Sequence, residues 1–284
     1  MALGGSGEST NPYIVHSWAE LLEAFDGISG NYIELANDIE APDDPVTVNG
    51  DKTISLDGKG FAINNLHHAT GGDAAINMRY YSGSYVGGHR YLKNIKFTNI
   101  YITDGYCIWA KAGGSDHRQF FIENLSFSGR ADSGTLIRGC QSSMYGPWTN
   151  IKRIAANIET GIGNVCIVSY EHEDKPSISN GNIRVKYLNC SPQSALSSWD
   201  WSDTLFDITT GTEASEVNLG RNLSNCCVIG KGGVTFTSGS GSVVVESTLS
   251  LPDPAPSNTY SLSTTDIKDA QTLHDDYGFP IGVD

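Results

Sequence analysis

A polar residue followed directly by an aliphatic one returns through this chain at intervals near thirty residues, with no helical pattern in between. The steps are Asp38-Ile39, Asn65-Leu66, Asn94-Ile95, Asn124-Leu125, Asn150-Ile151, Asn182-Ile183 and Asn218-Leu219, spaced by 27, 29, 30, 26, 32 and 36 residues. Alternating apolar pairs follow several of them (Ile95/Phe97, Leu125/Phe127, Ile183/Val185). A second apolar run lies downstream in most intervals, at Ala75-Ile76, Cys107-Ile108, Leu136-Ile137, Cys166-Ile167 and Leu205-Phe206. A unit this short cannot bury its own apolar face and becomes stable when neighbouring units stack on it. The recurrent Asn suits a turn used once per unit, where its side chain bonds nearby backbone and tolerates a left-handed conformation. The spacing predicts about seven to nine stacked coils.

Helical signals are confined to the two ends. Ser17-Trp18-Ala19-Glu20 is a capping box, followed by Leu21, Leu22 and Phe25 on one face and stopped at Gly27. Asp266 to Tyr277 carries Ile267, Ala270 and Leu273 at helical spacing and ends at Gly278. The body between reads as all-β, since a βαβ sheet would need helical stretches between its strands. Asn49-Gly50, Asp57-Gly58, Asp104-Gly105 and Asn180-Gly181 are hairpin-type signals that support the competing solution, an antiparallel sandwich. The period favours a solenoid.

Charge narrows the choice of partner. With 18 Lys+Arg against 32 Asp+Glu, the formal net charge is −14. That argues against nucleic acid, whose phosphates need a basic face. No apolar run reaches the length of a membrane span. The opening residues lack the basic and apolar regions of a secretory signal, which predicts synthesis in a host cytoplasm without a signal peptide. Charged residues at 18% and 32 glycines fit a turn-rich β protein rather than an acidic disordered chain. The cysteines at 107, 140, 166, 190, 226 and 227 form no CxxC pair and have no His spaced to complete a zinc site, so they read as small buried hydrophobes. No metal or cofactor is expected.

The residues reach a resemblance at Asn31-Tyr-Ile-Glu-Leu-Ala-Asn-Asp-Ile39 and Ile54-Ser-Leu-Asp-Gly-Lys-Gly60 with Ile63. After a short amphipathic helix, this run resembles the opening of pectate-lyase-like right-handed β-helix proteins, closest to those of bacteriophage virions and bacterial surface adhesins. The resemblance implies an all-β fold: a single right-handed parallel β-helix with a short N-terminal capping helix and a C-terminal helical tail. It also implies that Trp18, Leu21, Leu22 and Phe25 cover the first coil. It is a resemblance of fold and transfers no function by itself.

The chain divides into a flexible arm over 1–12, the β-helix with its cap over 13–250, a Pro-rich linker over 251–258 and a capping or attachment segment over 259–284. In that last segment Ile267, Leu273, Tyr277, Phe279 and Ile281 are the candidate attachment residues. Trp199 and Trp201 are candidates for carbohydrate or interface contact. Asp200, Asp203 and Asp207 are the only carboxylates singled out for catalysis, which needs a closely spaced pair. Glu171-His172-Glu173-Asp174, Asp116-His117-Arg118 and His67-His68 read as solvated turns. No nucleophile elbow, P-loop, zinc-protease or dinucleotide motif occurs. These observations weigh against an enzyme. The function expected is a non-enzymatic bacteriophage structural protein located in the virion, as a capsid decoration, head fibre or tail component. Its partners would be other virion proteins in a homo-oligomeric assembly, a trimer among the options, and a host-surface glycan. The alternatives are a carbohydrate-active β-helix enzyme such as a depolymerase, and a bacterial surface adhesin.

Overall fold

The computed structural model describes residues 3–26, 32–49, 54–78, 90–110, 119–139, 148–160 and 164–170, and beyond these the backbone of the strands between 173 and 262. Strand β1 (Tyr13–Val15) precedes helix α1 (Trp18–Asp26). Short strands follow: β2 (Tyr32–Leu35), β3 (Ile39–Glu40), β4 (Val48–Asn49), β5 (Ser55–Asp57), β6 (Ala62–Asn64), β7 (His67–His68) and β8 (Ala74–Asn77). The next six are β9 (Arg90–Ile102), β10 (Tyr106–Trp109), β11 (Gln119–Ala131), β12 (Gly134–Arg138), β13 (Trp148–Thr160) and β14 (Asn164–Tyr170).

From β8 to β14 the chain alternates between two sheets, so each circuit adds one strand to both. In the first sheet Leu92, Ile122 and Ile151 lie in register, as do Phe97, Phe127 and Ala156. In the second, Ile76, Ile108, Ile137 and Val168 are aligned. Every strand pair among β1–β14 is parallel. This is an all-β fold of stacked parallel strands, and the inward residues of both sheets merge into one apolar core. The recurrent runs at Ala75-Ile76, Cys107-Ile108, Leu136-Ile137 and Cys166-Ile167 are the strands of the second sheet. Leu205-Phe206, expected in the same series, instead belongs to the first sheet.

The long strands bend where the backbone turns left-handed. In β9 the buried apolar residues are Leu92, Ile95, Phe97, Ile100 and Ile102. A regular strand alternates strictly by two. Here the interval lengthens to three at Asn94 and again at Asn99, whose φ angles are 57° and 52°. One extra residue in a left-handed conformation turns the chain while keeping apolar side chains inward, and Asn tolerates that conformation better than most residues. The expected single Asn column is in fact two. Asn124 Nδ2 donates to Asn94 Oδ1 at 2.9 Å, and Asn94 Nδ2 donates to Asp57 Oδ1 at 2.9 Å. Asn99 Nδ2 donates to Asn65 Oδ1 in the second column. Asn150 lies opposite Phe121, outside both columns, while Arg153 (φ 55°) takes the next place after Asn124.

Of the hairpin-type dipeptides that lie wholly within the described residues, Asp57-Gly58 and Asp104-Gly105, neither joins two strands that pair with each other; both are corners between successive strands. Antiparallel pairing starts later. β15 (Glu173–Ser179) runs antiparallel to β14, and β16 (Gly181–Pro192) runs antiparallel to β13. β17 (Trp199–Ser202) and β18 (Leu205–Thr210) both pair antiparallel with β16. Parallel stacking resumes from β18 through Cys227–Gly230 and Val243–Glu246 to Thr259–Leu262. Asn182 consequently faces Glu159 across an antiparallel pair, and Asn218 faces Ser177 in the second sheet.

Helix α1 forms where the capping box predicts it. Glu20 N–H donates to Ser17 Oγ at 3.3 Å, and Glu20 Oε2 accepts from His16 N–H at 2.7 Å, one residue ahead of the usual partner. The helix packs against β1 and β4, the first strands of the two sheets. Leu21, Ala24 and Phe25 are buried and Trp18 packs on the core, but Leu22 is 41% exposed, contrary to its expected place in the cap. At 100° per residue, Leu22 cannot share the contact line of Leu21 and Phe25. The residues preceding β1, read from composition as an arm, make backbone bonds to the body. Ile14 N–H donates to Gly4 O at 2.9 Å, and Tyr32 N–H donates to Gly7 O at 3.1 Å. The Pro-rich linker, the C-terminal helical pattern and the tail lie outside the described residues.

Candidate functional site

Strands that send alternate residues inward must send the others out, and parallel register stacks those outward residues into rows. Two rows on the first sheet carry aromatic and charged groups. In the first, Tyr32 pairs with Ser55 and Tyr91 with Phe121. The small Ser55 lets Tyr32 and Tyr91 approach across it, with ring centroids 6.1 Å apart and planes at 50°. Tyr32, Tyr91 and Phe121 are each half-buried. Lys93 Nζ lies 4.4 Å from the Tyr91 ring centre and 3.3 Å from Asp57 Oδ2. Lys59 Nζ sits 3.4 Å from Glu34 Oε1.

The second row begins at His67, whose ring stacks on Tyr101 with centroids 5.0 Å apart and planes at 24°. Tyr101 O–H donates to Asp132 Oδ2 at 2.8 Å, and Arg130 Nε donates to Asp132 Oδ1 at 2.7 Å. The Arg130 guanidinium carbon lies 5.9 Å from the Tyr101 ring centre. Arg130 is in register with Tyr101 on one side and Glu159 on the other. Tyr101 is 37% exposed, so its ring offers an open flank to solvent.

The electrostatics suit binding more than proton transfer. Burial pushes the Asp57 carboxyl up, but hydrogen bonds from Asn94 and the Lys59 backbone together with the Lys93 charge outweigh it, leaving the group lowered. Asp132 is lowered by the Tyr101 hydroxyl and the Arg130 guanidinium. The Tyr101 hydroxyl is raised because it donates to Asp132. A general acid needs a carboxyl held up toward neutrality, and both of these are held down. Among the described residues no group of three or more His, Cys, Asp or Glu is placed to hold a metal ion. No described helix is long and apolar enough to cross a membrane.

The residues singled out from sequence lie elsewhere or outside the described part. Trp199, Asp200 and Trp201 are on β17, and Asp207 is on β18; Asp203 lies outside the described residues. Asp200 pairs with Ser191 and Asp207 with Arg184, seven positions apart on β16. Ile267, Leu273, Tyr277, Phe279 and Ile281 lie outside the described residues. His68, expected in a solvated turn, is wholly buried, with Nδ1 2.8 Å from Val46 O and Nε2 3.1 Å from Thr70 O. Cys107 is free and buried as expected, and burial raises its thiol. Sequence reasoning missed Tyr91 and Phe121. Their signal was present: Tyr91-Leu92 and Phe121-Ile122 are aromatic–aliphatic pairs repeating three residues ahead of Asn94 and Asn124.

Fold and face together define a class: an all-β protein of stacked parallel strands whose outer surface carries aromatic rows with paired charges. Residues 13–131 match the family model of a putative pectate lyase-like adhesive domain. The match runs from the first residue of β1 to the last of β11. No curated protein and no solved structure matches the chain significantly.

Proposed function

We propose that this chain is a non-enzymatic right-handed parallel β-helix that displays its outer face on a biological surface and is held there by a terminal segment. The observation that carries the reading is the pair of outward aromatic rows whose flanking carboxylates are already engaged by Lys93 and Arg130. Flat rings beside satisfied polar groups favour contact with a sugar face or another protein over bond cleavage. The match to an adhesive family supports contact as the role. In its fuller form the proposal places the rod on a bacteriophage virion, with other virion proteins and further copies of itself as neighbours.

The test is retention of the purified full chain on bacterial cells. Tyr91→Ser, Phe121→Ser and Tyr101→Ser combined should reduce retention about tenfold or more, the scale of losing several ring contacts. Undiminished retention would remove the outer rows from the proposal. Release of reducing ends or unsaturated products from bacterial capsules or pectins would make the protein an enzyme. Recovery of the chain in purified bacteriophage particles is expected. Its recovery only from bacterial cell surfaces would replace the virion reading by an adhesin.

A further inference from the structure

The second sheet holds a cation, Arg138, in a setting different from those of Lys59, Lys93 and Arg130. Lys59, Lys93 and Arg130 each face a carboxylate. Arg138 makes no ion pair with any described carboxylate. Its guanidinium lies 4.6 Å from the Tyr106 ring centre and 4.9 Å from that of Trp109. The two rings meet edge to face, with centroids 5.1 Å apart and planes at 68°. Arg138 Nη1 donates to the Tyr106 hydroxyl oxygen, while Nε is enclosed without a hydrogen-bond partner. The residue as a whole is half-buried.

Aromatic faces stabilise a cation without neutralising it. This frame therefore orients a guanidinium and leaves its positive charge available. The backbone beneath is held on both sides, since Arg138 pairs with Trp109 on β10 and Ser169 on β14. Because Tyr106 accepts from Nη1, its own hydroxyl hydrogen is left to donate, and Nη2 bonds no acceptor among the described residues. Two adjacent donors and one unit of charge fit a planar monoanion with two oxygens. A phosphate dianion would call for further cations, and a neutral ligand would leave the charge unanswered.

We propose that Arg138, Tyr106 and Trp109 form a carboxylate-binding site. It lies on the second sheet, apart from the outer rows of the first, so its failure would leave the proposed surface-contact role standing. The site is tested on the full chain by titrating glucuronate, N-acetylglutamate amide and glucose while following indole N–H signals by NMR, with Trp109 assigned through Trp109→Phe. A saturating shift of the Trp109 signal is expected with at least one carboxylate and not with glucose. A response to glucuronate alone assigns a sugar acid, and a response to the glutamate derivative alone assigns a peptide-type carboxylate. Arg138→Gln should weaken the response about tenfold or more, the scale of a charged hydrogen bond. Arg138→Lys keeps the charge but not the paired donors, so it should retain a weaker response. Should Arg138→Gln fail to fold, Arg138→Lys decides: a weakened response supports the site and an unchanged one overturns it. No saturating shift, or an equal shift with glucose, also overturns it.

Discussion

Phe97 and Phe127 stack face to face, with ring centroids 5.1 Å apart and planes within 10° of each other. Thirty residues separate them in the chain, yet they are register partners on adjacent parallel strands. Their separation is close to the ~4.8 Å spacing of hydrogen-bonded strands, so the stack reports one circuit of the chain laid directly on the next. Both rings are almost fully buried.

Removing either ring should open a cavity in the middle of the core. Phe97→Ala and Phe127→Ala are each expected to cost about 3–5 kcal/mol in urea unfolding. The double variant should show a coupling of about 0.5–1.5 kcal/mol, the usual size for a ring pair. Strict additivity would mean that the two rings do not support one another.

Asn94 should be sensitive for a different reason. Its φ of 57° disfavours residues with a Cβ, and its side chain links Asp57 to Asn124. Asn94→Ala should lose about 2–3 kcal/mol, combining left-handed strain with the loss of two side-chain bonds, one part-buried and one exposed. Asn94→Gly should lose only about 1 kcal/mol, because glycine keeps the backbone conformation and forfeits only the two side-chain bonds. Equal losses in the two variants would remove backbone conformation from the explanation.

Gly134 opens β12 at a φ of 97°, and an added Cβ would fall 2.3 Å from the Gly105 carbonyl oxygen. Neither the strain nor the collision can be relieved by a side-chain rotation, since the obstructing atom is backbone. Gly134→Ala is expected to destabilise the protein by about 3 kcal/mol or more, read as a lowered thermal midpoint.

Asp57 should link stability to pH. Its carboxyl is lowered in the folded protein from the ordinary value of 3.8. A lowered folded value means that the unfolded chain binds its proton first as pH falls. The contribution is therefore complete above the unfolded value and is lost as pH drops through the folded one. Asp57→Asn should flatten the dependence of unfolding free energy on pH below about pH 4 and change its slope little near neutrality. An unaltered acid limb would show that Asp57 does not carry this linkage.

Local rules settled part of this architecture in advance. A period near thirty residues without intervening helices required stacked strands, because no single unit could bury its apolar face. The capping box placed α1, since the helix start depends on side chains within four residues of one another. The apolar runs at Ile76, Ile108 and Ile137 marked the strands of the second sheet because a short continuous apolar stretch, buried along its length, is written directly in residue order. Alignment between circuits was not local. Asn65 and Asn94 look equivalent in sequence, but Asn65 stacks on Asn99 and Asn94 on Asn124. Which corner meets which depends on the packing of Phe97 on Phe127 and Leu92 on Ile122, residues brought together only by the completed circuit. The same holds for His68, which carbonyl groups of Val46 and Thr70 draw into the interior, and for Arg153, which fills a left-handed corner no Asn search would find. Reversal at β15 and β16 likewise escaped the repeat, because a strand presents the same alternating faces in either direction. Sequence alone determined that strands stack and where the recurrent apolar runs turn inward. Tertiary structure decided how the circuits align, and thereby which outward residues meet, since rows such as His67–Tyr101–Arg130 exist only between neighbours about thirty residues apart.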